Sequence, residues 1–205
     1  MAKQSTDLIV EFNNHIQSIE TTRLKMESLL NQGVIQQNEI EQVYSGLFLD
    51  VFTYFEGLLE GLFFGLITGD IVHQSANVSS RIPIVCGPIA KEIFFVERSY
   101  LEWLPFEKTV KRAKSLLTNG EPFVLVGSDS RNNLQQFLLI RNALAHKSEY
   151  AKTKFEQDVI GNSPLTPQEK TPTGFLRSKF RVNPPMTQYE LVLSELTSIV
   201  QILCT

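Results

Sequence analysis

Three side chains able to do chemistry stand within six residues of one another, Arg141, Asn142 and His146, in the run Leu-Leu-Ile-Arg-Asn-Ala-Leu-Ala-His-Lys-Ser-Glu-Tyr from Leu138 to Tyr150. An arginine presents donors in a rigid fork that matches a phosphate bidentately, and it stays charged at any working pH. A histidine is the side-chain type that both gives and takes a proton near neutrality. Together they suit an anionic, phosphate-bearing substrate and a proton-transfer step. The bland reading is an arginine and a histidine closing the last turn of a core helix, where cations complement the negative end of the dipole.

On an ideal helix positions 142 and 146 share a face, whereas 141 and 146 differ by about 140°. Arg141 therefore needs its long side chain, a local break or a partner subunit to reach the phosphate that His146 works on.

The helix carrying these residues follows Gly127-Ser128-Asp129, which lacks the glycine spacing and lysine of a phosphate loop. Ser128 or Asp129 is instead expected to cap the helix. Leu134, Phe137, Leu138, Ile140, Leu144 and Ala145 then define its buried side.

Upstream, Ser5 or Thr6 can cap a first helix whose apolar stripe is Leu8, Ile9, Phe12, Ile16, Ile19, Leu24, Met26, Leu29 and Leu30, ending near Gly33. His15 reads as a surface residue on it. A second, longest helix is expected from Asn38 to Ile67, with Val43, Leu47, Val51, Phe55, Leu58, Leu62 and Leu66 on one face. Gly57, Gly61 and Gly65 form a ridge at spacing four. Each costs about 1 kcal/mol against Ala in a helix, so the ridge asks for the close approach of another helix, in the same chain or a dimer partner. Glu56 and Glu60 flank it, either holding the Arg141 guanidinium or forming a solvated edge.

The middle of the chain is mixed. Val78 to Pro83 reads as loop, and Ile89 to Val96 as a short helix or strand-like run. His73 follows Asp70 by three, with no third ligand nearby, so no metal site is expected. Leu104-Pro105 opens a helix that ends at Asn119-Gly120. It carries Lys108, Lys111 and Arg112 on one face, a phosphate-facing strip or a solvated one. Phe123 to Val126 is a short apolar run.

Beyond the motif, Ala151 to Ile160 continues as helix. Residues 161–186 are too long for a plain connector and are either functional or partly disordered. Within them Gly174 to Arg181 interleaves bases with aromatics, a pattern that suits single-stranded RNA; the alternative is that Phe175 and Phe180 pin the loop. Thr187-x-x-Glu190 is a capping box that opens a last helix, reaching Leu203.

The 205 residues fit one domain, 1–205, with 42% apolar residues and 14 Phe pointing to thick helix–helix contacts. A net charge of −3 gives no overall field for nucleic acid, so any RNA contact must be local. Cys86 and Cys204 are too few for a disulfide framework and are not spaced as metal ligands. The opening residues carry no apolar signal-peptide core, and Glu56 and Glu60 interrupt the most apolar stretch. The expectation is a soluble cytoplasmic protein with no membrane span.

The Arg141-Asn142…His146 pattern resembles the R-x4-H signature of the HEPN superfamily (higher eukaryotes and prokaryotes nucleotide-binding), in which the Arg is usually followed by a polar residue. Tyr-Phe-Glu-Gly-Leu-Leu-Glu, at 54–60, is similar to the glutamate-bearing early helix of that family. The resemblance is closest to the prokaryotic RiboL-PSP-HEPN type, covers the motif helix well and the second helix loosely, and leaves 70–126 and 161–186 as elaborations. Some toxin members carry a tyrosine two residues after the His; here Tyr150 comes four after His146.

What the resemblance implies is an all-α, up-and-down helical bundle with an elaborated middle segment and a Pro-rich loop (about 161–186) before a C-terminal helix (about 187–203). It also implies a metal-independent endoribonuclease without cofactors, acting in prokaryotic defence or a toxin–antitoxin system, with an RNA substrate and an antitoxin or regulatory protein as possible partners. In such an enzyme the 2′-hydroxyl attacks the adjacent phosphorus and leaves a cyclic phosphate. His146 would act as acid or base, Arg141 would hold the phosphate, and Asn142 would orient one or the other. Two motifs would line one cleft across a homodimer. Lys147, Lys111, Arg177 and Lys179 are the candidate RNA contacts. The competing expectation is a non-catalytic helical module that binds RNA or a protein and dimerises through the glycine ridge.

Overall fold

The computed structural model describes residues 2–75, 77–82, 87–95 and 100–205. Cys86 and the ends of the runs Val78–Pro83 and Ile89–Val96 lie outside them. The chain is mostly helical, as an all-α reading requires. The long helices are α1 (Ser5–Asn31), α2 (Gln37–Thr68), α5 (Ser128–Ala145) and α8 (Gln188–Cys204). Shorter ones are α3 (Gly87–Phe95), α4 (Phe106–Leu116), α6 (Glu149–Phe155) and α7 (Pro172–Arg177). A π turn, Glu156–Ile160, extends α6, so the helix expected at 151–160 is present with a widened last turn.

Contacts cluster into two compact units: residues 1–12, 54–135 and 197–205 form the first, and 13–53 with 136–196 the second. In the first unit, β1 (Lys3–Gln4) pairs in parallel with β2 (Ile71–Val72). An aromatic core gathers on α2: the Phe63 ring lies 5.3 Å from Trp103 and 6.1 Å from Phe123. Phe12, Phe55, Phe63 and Phe123 are fully buried, each worth about 1.5–3 kcal/mol against exposure. The Ser5 side chain does not cap α1. Its buried hydroxyl donates to the Cys204 carbonyl at 2.7 Å, and Asp7 takes the capping role by accepting from the Gln4 N–H. Burial pushes the Cys204 thiol up to about 12.

His73 is a core histidine. Its Nδ1 accepts from the Ser75 N–H at 3.1 Å, which leaves Nε2 as the donor to the Leu203 carbonyl at 3.2 Å. The basic strip of α4 is partly spent nearby. Lys108 pairs with Glu102, and Arg112 donates to the Glu102 carbonyl and stacks 5.2 Å from the Trp103 ring. Lys111 stays exposed.

The glycine ridge of α2 divides. A Cβ at Gly65 would meet the Ile71 side chain at 2.5 Å, so this glycine admits β2 rather than a helix. At Gly57 and Gly61, both exposed, a Cβ would meet nothing within 4 Å. α2 is long and apolar enough to cross a membrane by composition alone, yet 61% of its most apolar window is buried, as in a core helix.

In the second unit the core is Ile19, Ile40, Phe48, Phe52, Phe155, Leu176 and Leu196. Where the apolar stripe of α1 was expected at Leu24, that side chain is 57% exposed, and its neighbour Arg23 is buried instead. A buried cation must be paired, and Arg23 is: it forks onto Glu20 at 2.8 Å twice, reaches Glu190 at 2.8 Å and touches the Tyr44 hydroxyl at 3.3 Å. His15 is half-buried rather than at the surface, with Nε2 3.4 Å from Asp50.

The segment 161–186 carries regular elements. It holds α7 and the strand β3 (Lys179–Arg181), which pairs antiparallel with β4 (Met186–Thr187). The Phe175 ring meets Phe155 edge-on at 6.1 Å, which is the pinning alternative, whereas Phe180 is 49% exposed. The capping box of α8 forms as read: the Thr187 N–H donates to Glu190 at 2.7 Å, and the Glu190 N–H returns to the Thr187 hydroxyl at 3.2 Å.

Candidate functional site

The first turn of α5 is held from outside the helix. Arg131 donates to the Val126 carbonyl at 2.8 Å and the Val124 carbonyl at 3.1 Å, and pairs with Glu107 at 3.0 Å. These bonds tie the 3₁₀ turn Phe123–Leu125 to the helix. Gly127, not Ser128 or Asp129, stands before the first helical residue, and its carbonyl accepts the Arg131 N–H. The buried side beyond it is narrower than the sequence reading: Leu134, Phe137 and Ile140 are buried, Leu138 and Leu144 are half-buried, and Ala145 is exposed.

α5 ends at Ala145, one residue before His146. The break follows from local chemistry. Ser148 caps α6 by accepting the Ala151 N–H at 3.2 Å, and an N-cap takes extended backbone, so a continuous helix through 146–148 is not formed. Of the three routes by which Arg141 and His146 could serve one phosphate, the local break is therefore present in the chain. Arg141 and Asn142 are half-buried on the last turn, while His146 and Lys147 are exposed.

The Arg141 Nη1 donates to the Asn142 Oδ1 at 3.3 Å. Asn142 also accepts the His146 N–H on its main-chain carbonyl at 2.9 Å. Its side chain thus serves Arg141 and its backbone serves His146. Glu60, expected as one possible holder of Arg141, accepts from Trp103 Nε1 at 3.0 Å and lies 3.7 Å from Lys91.

His146 and Lys147 stand on the wall of a cavity of about 370 Å³. Its other walls come from α6 and its π turn, through Glu149, Lys152 and Glu156, and from the segment before α7, through Pro167 and Lys170. Arg141 and Asn142 are not among its lining residues. Of the four candidate RNA contacts, then, only Lys147 shares this cavity with His146. Lys111 and Lys179 are exposed elsewhere. Arg177 is committed: it forks onto Glu27 at 3.0 and 3.1 Å, donates to Gln37 and lies 5.6 Å from the Tyr44 ring.

A second cavity, about 380 Å³, is lined by Arg23, Glu27, Tyr44 and Arg177, which bond one another and, through the arginines, Glu20, Glu190 and Gln37. Burial raises the Glu27 carboxyl, but hydrogen bonds from Arg177 and Tyr44 outweigh it and hold the group below its ordinary range. Burial likewise pushes the Tyr44 hydroxyl up, to about 12. This is an internal strut, tying α7 to α1 and α2. Among the described residues no group of three or more His, Cys, Asp or Glu side chains could hold a metal ion.

Lys152 and Lys170 escaped the sequence reading because they lie eighteen residues apart on separate segments; only the fold brings both to the cavity that His146 lines. Comparison with protein-family models, curated proteins and solved structures finds no match to this chain.

Proposed function

We propose that this chain is an endoribonuclease of the HEPN type. The observation that carries the reading is the position of His146: exposed, just past the end of α5, on the wall of a lysine-bearing cavity, and backbone-bonded to the residue that holds Arg141. A proton-transfer residue beside uncommitted cations suits a phosphodiester substrate.

In this reading the 2′-hydroxyl attacks the adjacent phosphorus, its proton passes to a neutral His146, and the departing 5′-oxygen receives a proton from a protonated histidine. A cyclic 2′,3′-phosphate and a 5′-hydroxyl result. Arg141 neutralises the charge that builds on the phosphoryl oxygens. Two copies facing one another would supply both histidines and bring a second Arg141 to the cleft, which answers the absence of Arg141 from the cavity wall of one copy. Prokaryotic defence or a toxin–antitoxin pair is the setting the resemblance suggests, with an antitoxin or regulatory protein as partner.

The test is cleavage of total cellular RNA in EDTA by the wild type beside His146→Ala. The reading expects wild-type cutting that leaves a cyclic phosphate, and a loss of about 10²-fold or more in the variant, the usual size of a positioned acid–base contribution. Cutting that persists in His146→Ala, or that EDTA abolishes, overturns it. RNA that is bound and never cut supports the binding module instead.

A further inference from the structure

The ionic inventory of the second unit is uneven. Lys154 pairs with Asp158 at 3.3 Å, and Arg23 and Arg177 are locked onto carboxylates. Lys147, Lys152 and Lys170, all exposed, make no ion pair among the described residues, although Glu149 and Glu156 stand on the same cavity wall. Three lysines against two glutamates leave the cavity net positive, and His146 adds to that whenever it is protonated. Like charges gathered in one concavity repel, and an anion among them relieves the repulsion.

The lysines come from separate segments, and the one most distant in sequence is set by a built turn. The Thr166 N–H and hydroxyl both donate to Glu169, at 2.9 and 2.8 Å, and the Glu169 N–H returns to the Thr166 hydroxyl at 3.3 Å. The Lys170 N–H then donates to the Thr166 carbonyl at 3.1 Å. Thr171 closes the turn by capping α7, its hydroxyl accepting the Gly174 N–H at 3.0 Å. The turn lies so close on α7 that a Cβ at Gly174 would stand 1.9 Å from the Gln168 carbonyl oxygen. Lys170 is therefore presented from a hydrogen-bonded turn, on the cavity that Lys152 of α6 also lines.

We propose that Lys152 and Lys170, with Lys147, form a phosphate-binding subsite for the nucleotide next to the one cut at His146. The inference rests on the ribonuclease reading. A cavity of about 370 Å³ is at the small end of ligand sites, about 300–1,000 Å³, the scale of a single nucleotide. With a net charge of −3 the chain has no overall field for nucleic acid, so the contact must be local. Pro167 and the stem of Lys147 give the subsite apolar surface beside its charges.

Two measurements on the full chain test this. The first is anisotropy binding of a fluorescent single-stranded oligonucleotide, 2′-O-methylated throughout so that it cannot be cut, over a salt series. The second is steady-state cleavage of the unmodified oligonucleotide. Lys152→Gln/Lys170→Gln is compared with wild type and with Lys25→Gln, an exposed lysine of α1 away from the cavity. Removing two phosphate contacts should lower the salt slope by about 1.4, since each contact to a single strand contributes about 0.7. KM should rise about tenfold with kcat changed less than about twofold, because the contact is made equally in ground and transition states.

Cleavage and binding by the double variant that match Lys25→Gln overturn the subsite and leave the ribonuclease reading standing. A wild type that neither binds nor cuts RNA overturns both readings.

Discussion

The main-chain carbonyl of Asn142 accepts the N–H of His146 at 2.9 Å, and it is the last bond of helical type at the end of α5. Through it the histidine is fixed to the helix although α5 ends one residue before it. The same asparagine takes the Arg141 guanidinium on its amide oxygen at 3.3 Å. One residue thus holds both partners of the motif, by two different groups.

Replacing Asn142 by alanine separates those functions. The backbone bond to His146 survives, because Ala keeps the carbonyl and favours the helix. The Arg141 fork loses its one described partner. Asn142→Ala is expected to cost about 10-fold in kcat/KM for RNA cleavage, less than His146→Ala, because it loosens the group on the phosphate and leaves the proton-transfer residue in place. Single-turnover cleavage by the two variants side by side checks the order; equal losses would mean that Asn142 acts on the reacting atoms directly.

At Gly57 and Gly61 the helix pays the glycine penalty with nothing within 4 Å to explain it. Within one copy, Gly57→Ala and Gly61→Ala should each stabilise α2 by up to about 1 kcal/mol, the intrinsic preference for Ala in a helix interior. Gly65→Ala should destabilise, since its Cβ would meet Ile71 at 2.5 Å. Urea unfolding reads all three. Sedimentation reads the rest: a dimer weakened by Gly57→Ala or Gly61→Ala would show that a second copy approaches the helix there.

Much of the fold was legible because its signals are local. The capping box Thr187–Glu190, the stop at Asn31 and the bounds of α2 depend on residues within a few positions of one another, and all stand close to where the sequence puts them. The histidine leaving the helix was not legible, because the break is set by Ser148 capping the next helix, and Ser148 reads as an ordinary polar residue. Arg23 was missed for a different reason. A charged residue inside an apolar stripe looks like a gap, unless Glu20, Glu190 and Tyr44, two of them far off in sequence, are known to converge on it. Lys152 and Lys170 belong to the same class: the cavity exists only once the chain has turned back at 161–171.

The carboxylates of the internal strut set an acid limit on stability. Burial raises Glu190, but the Thr187 N–H and hydroxyl and then Arg23 outweigh it, so Glu190 joins Glu27 below the ordinary value of 4.5. A carboxyl depressed in the folded state contributes stability above its unfolded pKa and loses it as pH falls through the folded one. Unfolding free energy should therefore hold steady near neutrality and fall once pH drops below about 4.5. Arg177→Gln removes the main group that lowers Glu27, so its curve should fall less steeply on the acid side. Urea titrations at about pH 6 and about pH 3.5 compare the two. Parallel curves would mean that Arg177 does not set the Glu27 proton affinity.

Gly174 couples the fold to the candidate site. Its Cβ, if present, would sit 1.9 Å from the Gln168 oxygen and 2.8 Å from the Gln168 carbonyl carbon, both backbone, so the obstruction cannot rotate away. Gly174→Ala must push the turn 166–171 off α7, and overpacking of this kind costs about 1–3 kcal/mol. The displaced turn carries Lys170 with it. The expected outcome is a lower thermal midpoint together with weaker oligonucleotide binding and a smaller salt slope, in the direction of Lys152→Gln/Lys170→Gln. His146 and Lys147 should be unaffected, being set by the end of α5 and the Ser148 cap. Thermal unfolding and anisotropy on the same preparation decide it: lost stability with full affinity would show that Lys170 does not contact the bound strand.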